Sequence, residues 1–443
     1  MPLDRPSAWY RRALAAVLIV ALVLRVGYVL SLPTDDASIA ALPDQSEYLS
    51  LARSLLGGNG LVFYDARFAS ATYAYRAPLY PAFVAACGGQ VVVARLAQAA
   101  LDASTAWAAA LLALALLPPA VRRPGAVLAA IGVAVDPFLI YFCGLVLSET
   151  LFTAMLAWGM VLLLAGSRGG RLTATDDAGE PLPYRPALGT LLWLGGGLIL
   201  AASTLVRPSA APLAVLLGIA AAFAGRPRDG RPTFRPRWPL PVGATMALVT
   251  VLALLPWAYR NSRVVGQWVW TTTNGGVTAY DGFNPDADGS SDQSSLRAMP
   301  QLRLMNEVER STYLSGRAAE FVREQPKRAL ELAALKVART WSPMPLSAEY
   351  GSWKHRLVGL AYCVPLYLLT LIGLSGLSLR RAAKAFLLTP IAYFTLVHMA
   401  TVGSLRYRVP IEPLLVVVAA AGLSGLNRPE WPWRRAGATE VSE

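Results

Sequence analysis

The chain has 443 residues, of which 55% are hydrophobic and 15% charged, and its mean hydropathy is +0.44. That is more apolar surface than one soluble core can bury, so the composition excludes an ordinary soluble enzyme and points to a polytopic membrane protein. The formal net charge of +13 would suit a nucleic-acid binder, but the basic residues are scattered through short connections instead of gathered on one face, which argues against nucleic acid as a partner.

Apolar runs able to cross about 30 Å of hydrocarbon, at about 20 residues each, begin at Ala13, near Ala99, and at Ala126, Leu145, Ala187, Ser209, Leu240, Leu357, Ala385 and Val409. They predict an all-α polytopic membrane protein with about ten transmembrane helices. The first run has no small-residue cleavage site and reads as a retained span. Arg11 and Arg12, Arg122 and Arg123, Arg168 to Arg171, the run from Arg226, Arg380 and Arg381, and Arg428 to Arg435 recur after every second span. This positive-inside pattern places both termini in the cytoplasm of a cell (inner) membrane protein.

The divisions that follow are a cytoplasmic N-terminus and first span (1–32), a first extracytoplasmic loop with interfacial helices (33–94), spans two to seven (95–258), a large extracytoplasmic loop (259–356), spans eight to ten (357–427) and a cytoplasmic tail (428–443). Pro78 to Ala94, interrupted by Gly88 and Gly89, is too short for a span and reads as interfacial or re-entrant. Cys87, Cys143 and Cys363 lie in apolar runs without metal-like spacing and read as buried small hydrophobes.

The first loop opens with PDQSEYLSLARSLLGGNG, Pro43 to Gly60. Asp44 and Glu47, three apart, match a capping box, and Tyr48, Leu51, Ala52 and Leu55 recur at helical spacing before the stop at Gly57 and Gly58. Asp44 is therefore either an N-cap or a catalytic carboxylate. Downstream, TYAYRAPLYPAF sets Tyr75 and Arg76 where the chain re-enters the bilayer. The shorter outside turns carry Asp136, Glu149, Arg207 and the segment GSLRYRVP with Arg406 and Arg408, a charge excess where arginine should be scarce. In the long outer loop, helices are expected over 299–324 and 326–341, with DADGSSD as a solvated turn. Trp268, Trp270, Trp341 and Trp353 suit an interfacial belt.

The ordered blocks D-x-x-E-Y-L-x-L-A-x-x-L with its Gly pair, YRAPLYP, DPFLIYFCGLVLSETLF, LVRPSAAPLA, PWAYRNSRVVGQWVWTTTNGG, FNP and LRYRVPIEPLL resemble the GT-C glycosyltransferases, in particular bacterial relatives of protein O-mannosyltransferases and of the lipid A aminoarabinose transferase. The resemblance implies a helical bundle with two surface-lying helices in the first loop and a cavity at the outer leaflet. It implies a sugar donor carried on a polyprenyl phosphate, and an acceptor that is a glycolipid, glycan or protein.

Inverting transfer from a lipid phosphate to a hydroxyl needs a base and cations to hold the departing phosphate. Asp44 supplies the carboxylate. Arg76, Arg260, Arg406 and Arg408 supply bidentate partners for phosphate oxygens, and Arg406 and Arg408, two apart in an extended segment, would face one pocket. The resemblance places the acidic Glu149 at the cavity, sometimes near a divalent metal, and Glu47, Tyr75, Arg207 and Asn261 belong to the expected substrate pocket. Asp44 and Glu149 together could offer oxygen ligands to a hard cation, although no cluster has ligand spacing. A competing reading is a transporter or lipid flippase, which would place ionisable groups near the bilayer midplane. The span interiors read as nearly free of charge, which favours an interfacial enzyme.

Overall fold

The computed structural model describes residues 8–173, 182–225, 239–346, 352–376 and 379–425. The basic run from Arg226, the tail Arg428 to Arg435 and most of the polar loop after Arg171 lie outside the described residues. Eight helices are long and apolar enough to cross a membrane: Trp9–Ser31, Val91–Leu116, Glu149–Ser167, Pro186–Ser203, Leu240–Val264, Trp353–Ser375, Arg381–Met399 and Leu405–Gly425. The pair Arg122–Ala134 and Pro137–Cys143, bent by 52°, makes a ninth, and Pro208–Ala224 is a shorter apolar segment. These elements fall at the ten apolar runs of the sequence.

The bend has a local cause that also shapes the site. Pro137 lacks an N–H and sits at the first turn of Pro137–Cys143, while Asp136 caps that turn by accepting from the Phe138 and Leu139 amides. The carbonyls released at the break are taken by Arg25 of the first span, which donates to Val133 and Ala134 and pairs with Asp102 at 2.5 Å. A broken span inside a membrane is tolerable when its freed backbone groups find such partners. The span interiors are thus not nearly free of charge: Arg25 and Asp102 are both fully buried within spans.

Close helix contacts come from small residues. Glu149–Ser167 packs against Pro186–Ser203 so tightly that a Cβ on Gly166 would meet the Trp193 backbone, and one on Gly196 the Leu163 backbone. The described basic residues at one end of the bundle include Arg168, whose guanidinium donates to the terminal carbonyls Ala115 and Ala224.

The other end carries both large loops. The first contains Asp36–Ala40, the helix Pro43–Leu56, an antiparallel pair of strands Phe63–Asp65 and Ser70–Thr72, and Leu79–Ala86. The second contains Gly275–Gly282, Ser294–Arg297, Glu307–Glu324 and Pro326–Thr340. The helix expected over 299–324 is split, because Asn306 builds a capping box with Glu309 and restarts the chain there. The loops share a core of Leu51, Phe68, Tyr75, Val277, Leu302 and Leu314, which fixes them to each other. Trp268 and Trp353 are exposed as a belt requires, whereas Trp341 is half-buried and donates to Thr395.

Candidate functional site

The helix Pro43–Leu56 starts two residues earlier than a cap at Asp44 would require. Pro43 occupies its first position, Leu42 is the N-cap, and no side chain caps it. The capping box expected of Asp44 and Glu47 is absent, and both carboxylates turn to arginines instead. Arg76 donates from Nη2 to Asp44 Oδ1 at 2.5 Å and from Nε to Glu47 Oε2 at 2.7 Å. Its guanidinium also lies 5.3 Å from the Tyr48 ring centre and 5.4 Å from that of Tyr75, so its plane is held by aromatic faces as well as by ions.

The other Asp44 oxygen, Oδ2, accepts from Arg406 Nη1 at 2.6 Å. Arg406 Nε donates to Glu149 Oε1, and the same Glu149 oxygen accepts from Arg207 at 3.2 Å. Glu149 opens its span fully buried, and its second oxygen, Oε2, has no hydrogen-bond partner. Arg207 stacks 5.6 Å from the Tyr407 ring centre and 5.8 Å from that of Phe152. Five segments far apart in sequence therefore meet through one alternating chain: Glu47, Arg76, Asp44, Arg406, Glu149, Arg207.

Burial alone would raise the Asp44 carboxyl pKa. Arg76 and Arg406 outweigh it and hold the group well below the usual carboxylate range, so it is ionised. Arg76 is shifted well upward by Asp44 and Glu47 against the opposing effect of its own burial. Burial pushes the Tyr75 hydroxyl up to about 12, keeping it a neutral donor.

Asp44, Tyr75, Arg76, Arg406 and Tyr407 line a cavity of about 800 Å³. Much of its wall is apolar, including Tyr28 of the first span, Val135, Phe138, Ile140 and Phe142 of the bent pair, and Leu147 beyond it. The break at Pro137 delivers several of these side chains. An apolar cleft with a few convergent polar groups is the usual form of a small-molecule site.

Three expected residues lie elsewhere. Residues 405–407 and 409–411 form two 3-10 turns instead of an extended segment, with Ser404 capping the first, so Arg406 and Arg408 diverge. Arg408 is fully buried, donating to Glu412 at 2.7 Å, to the Ser342 carbonyl at 2.7 Å and to Tyr367 and Cys363. Arg260 donates to the Tyr73 and Leu61 carbonyls at 2.7 and 3.1 Å, and Asn261 to the Val269 carbonyl at 2.9 Å. Both brace the loops behind the cavity.

Arg67 was not anticipated. It pairs with Asp65 at 2.7 Å and Glu47 at 3.0 Å and donates to Gln293 at 2.5 Å, joining the first loop to the second. An arginine in a loop that should be poor in arginine was the available signal.

Asp44 and Glu149 do not fit a dication in this arrangement, because Arg406 spans the space between them and Arg76 and Arg207 take the flanks. Among the described residues no group of three or more His, Cys, Asp or Glu is placed to hold a metal ion.

No family model matches the sequence, and no curated protein matches it. Two solved structures of the Archaeoglobus fulgidus oligosaccharyltransferase, one tethered to an acceptor peptide and one of AglB in complex with an inhibitory peptide and a dolichol-phosphate, each superpose with a TM-score of 0.52 at 13% identity. They match 98% of this chain and 53% and 52% of theirs, so the chain spans about half their length. ArnT from Cupriavidus metallidurans bound to undecaprenyl phosphate is also similar, at a TM-score of 0.40 and 14% identity, over 96% of this chain and 79% of that one. What the oligosaccharyltransferase likeness establishes at these identities is architecture: this chain is a multi-pass membrane protein with the GT-C fold.

Proposed function

We propose that the protein is a glycosyltransferase that moves a sugar from a polyprenyl-phosphate donor to an acceptor hydroxyl with inversion. The observation that carries this reading is a single ionised carboxylate, Asp44, clasped by two arginines on the polar rim of a largely apolar cavity. In the reaction the acceptor oxygen forms a bond to the anomeric carbon as the bond from that carbon to the phosphate oxygen breaks. Asp44 takes the acceptor proton, a role worth about 10²–10⁴-fold in rate. Arg76 and Arg406 exchange part of their bonding from Asp44 to the phosphate oxygens and hold the leaving group. Glu47 aims Arg76, Glu149 aims Arg406 with Arg207 behind it, and the apolar wall receives the first units of the prenyl chain.

The positive-inside pattern supports reading this face as extracytoplasmic, with a glycolipid, glycan or protein as acceptor and a hexose or pentose as the group moved. The transporter reading loses support because the buried ion pair in the bundle, Arg25 with Asp102, is closed and braces backbone carbonyls instead of lining the cavity. Purified protein incubated with polyprenyl-phosphate-linked radiolabelled sugars should release or transfer the sugar. Binding and transbilayer movement of the lipid without cleavage of any sugar would support the flippase instead.

A further inference from the structure

The chemistry above leaves one part of the cavity wall unused. The second loop contributes Asn274, Thr278, Asp281, Ser291 and Gln293 to the lining, amides, hydroxyls and one carboxylate with no counterpart on the apolar wall, alongside the basic Arg339, Lys354 and His355. Asp281, at the end of Gly275–Gly282, is 5% exposed. It accepts from Ser291 Oγ at 2.6 Å and from the Asp292 amide at 2.8 Å, which hold the carboxylate in place, and burial raises its pKa.

Close to Asp281 lies an ammonium group that the fold does not satisfy. Lys336, on Pro326–Thr340, is fully buried, and its Nζ has no hydrogen-bond partner and lies 3.3 Å from the centre of the Phe283 ring. Burial pushes the amine down to about 8, opposed by the field of Asp281. The packing around it is close: a Cβ on Gly403 would collide with the Lys336 backbone, and one on Gly282 would stand 3.1 Å from Nζ. A buried donor with no acceptor is a standing cost to the fold, and such local costs collect at functional sites.

This wall is joined to the reaction centre. Gln293 accepts from Arg67, Arg67 pairs with Glu47, and Glu47 pairs with Arg76. A ligand engaging the second loop therefore sits within one bonded network of the Asp44 carboxylate. A sugar ring is uncharged and must be recognised by hydrogen bonds, and a carboxylate able to accept from two neighbouring hydroxyls, flanked by amides and hydroxyls, supplies them.

Resting on the glycosyl-transfer reading, we propose that Asp281 is the principal binding residue of a subsite for the hydroxyls of a sugar ring, with Lys336 as the positioning residue behind it. The ring belongs either to the donor or to a glycan acceptor, and the test separates the two. Binding to the detergent-solubilised full chain is measured for undecaprenyl phosphate, for undecaprenyl phosphate carrying single hexoses and pentoses, and for a set of soluble oligosaccharides.

The wild type should bind at least one sugar-bearing probe, and if it is lipid-linked, more tightly than undecaprenyl phosphate alone. Asp281→Asn should reduce that gain at least tenfold while leaving undecaprenyl phosphate affinity unchanged. A loss confined to lipid-linked sugars identifies the donor's ring, and one confined to oligosaccharides the acceptor's. Lys336→Met, which removes the unsatisfied ammonium, should melt at a higher temperature yet show the same loss. The assignment is overturned if the wild type gains nothing from any sugar, if both folded variants keep the gain, or if Asp281→Asn weakens undecaprenyl phosphate equally. A wild type that binds no polyprenyl phosphate at all would instead count against the glycosyl-transfer reading itself.

Discussion

Arg406 and Arg408 are separated by one residue, the first inside a 3-10 turn and the second at the junction with the next, and both pair with a carboxylate, yet they belong to different kinds of environment. The Arg406 side chain is 25% exposed and its partner Asp44 31%, whereas Arg408 and Glu412 are both sealed at 0%. Arg408 also holds a backbone carbonyl and a tyrosine hydroxyl, so its hydrogen-bonding capacity is spent inside the fold. Arg406 faces the cavity and can trade a carboxylate oxygen for an incoming phosphate oxygen. What separates a site arginine from a scaffold arginine is therefore not residue type or location along the chain but whether its partners can be exchanged. The closed pair fixes the turn from which the open one projects.

The largest expected effect is on the closed side. Arg408→Gln leaves Glu412 buried without its cation and should cost about 3–5 kcal/mol of stability, read as a fall in unfolding temperature in detergent. A variant as stable as the parent but defective in lipid binding would move Arg408 into the site and erase the contrast. Asp44→Asn comes next. It keeps an oxygen for one arginine but removes the charge that Arg76 and Arg406 share, so it should lower transfer by roughly 10²-fold or more and bring some fall in melting temperature with it. A fully active variant would shift the base to Glu149. Arg406→Gln is smaller still: it removes one charge-assisted contact and should weaken binding of a polyprenyl phosphate about tenfold, measured by lipid titration.

The spans were legible because crossing hydrocarbon forces an apolar run on the sequence whatever the neighbours are. Asp44 and Arg76 were legible because charges at a membrane re-entry demand partners. Side-chain directions were not. The stretch LRYRVP reads as extended because Pro410 disfavours helix in the residue before it, but Ser404 caps a tight turn there and sends Arg406 and Arg408 apart. The sign that Asp44 is not a cap was present in Pro43, whose preference for the first helical position moves the cap to Leu42. Arg25 with Asp102 could not be paired from the sequence, since the two lie on different spans and only packing brings them together.

The last prediction concerns pH and tests the open side alone. An unfolded aspartate titrates near about 3.9, and in the folded chain Arg76 and Arg406 overcome burial and depress Asp44 below the ordinary range. A depressed carboxyl contributes stability that is present above the unfolded pKa and lost only as pH falls through the lower folded one. Across the neutral and mildly acidic range Asp44 should therefore stay ionised. The kcat/KM profile, which reports the free enzyme, should show no acid limb from it, and the melting temperature no corresponding step. Removing one of the two cations in Arg406→Gln leaves burial less opposed, so an acid limb should enter from below and move toward or past the ordinary carboxylate value. The folded fraction of Arg408→Gln should show no such movement, because Arg408 bonds to Glu412 and not to Asp44. A wild-type acid limb in the mildly acidic range that survives in Asp44→Asn would mean that the proton is taken by a group outside the arginine clasp.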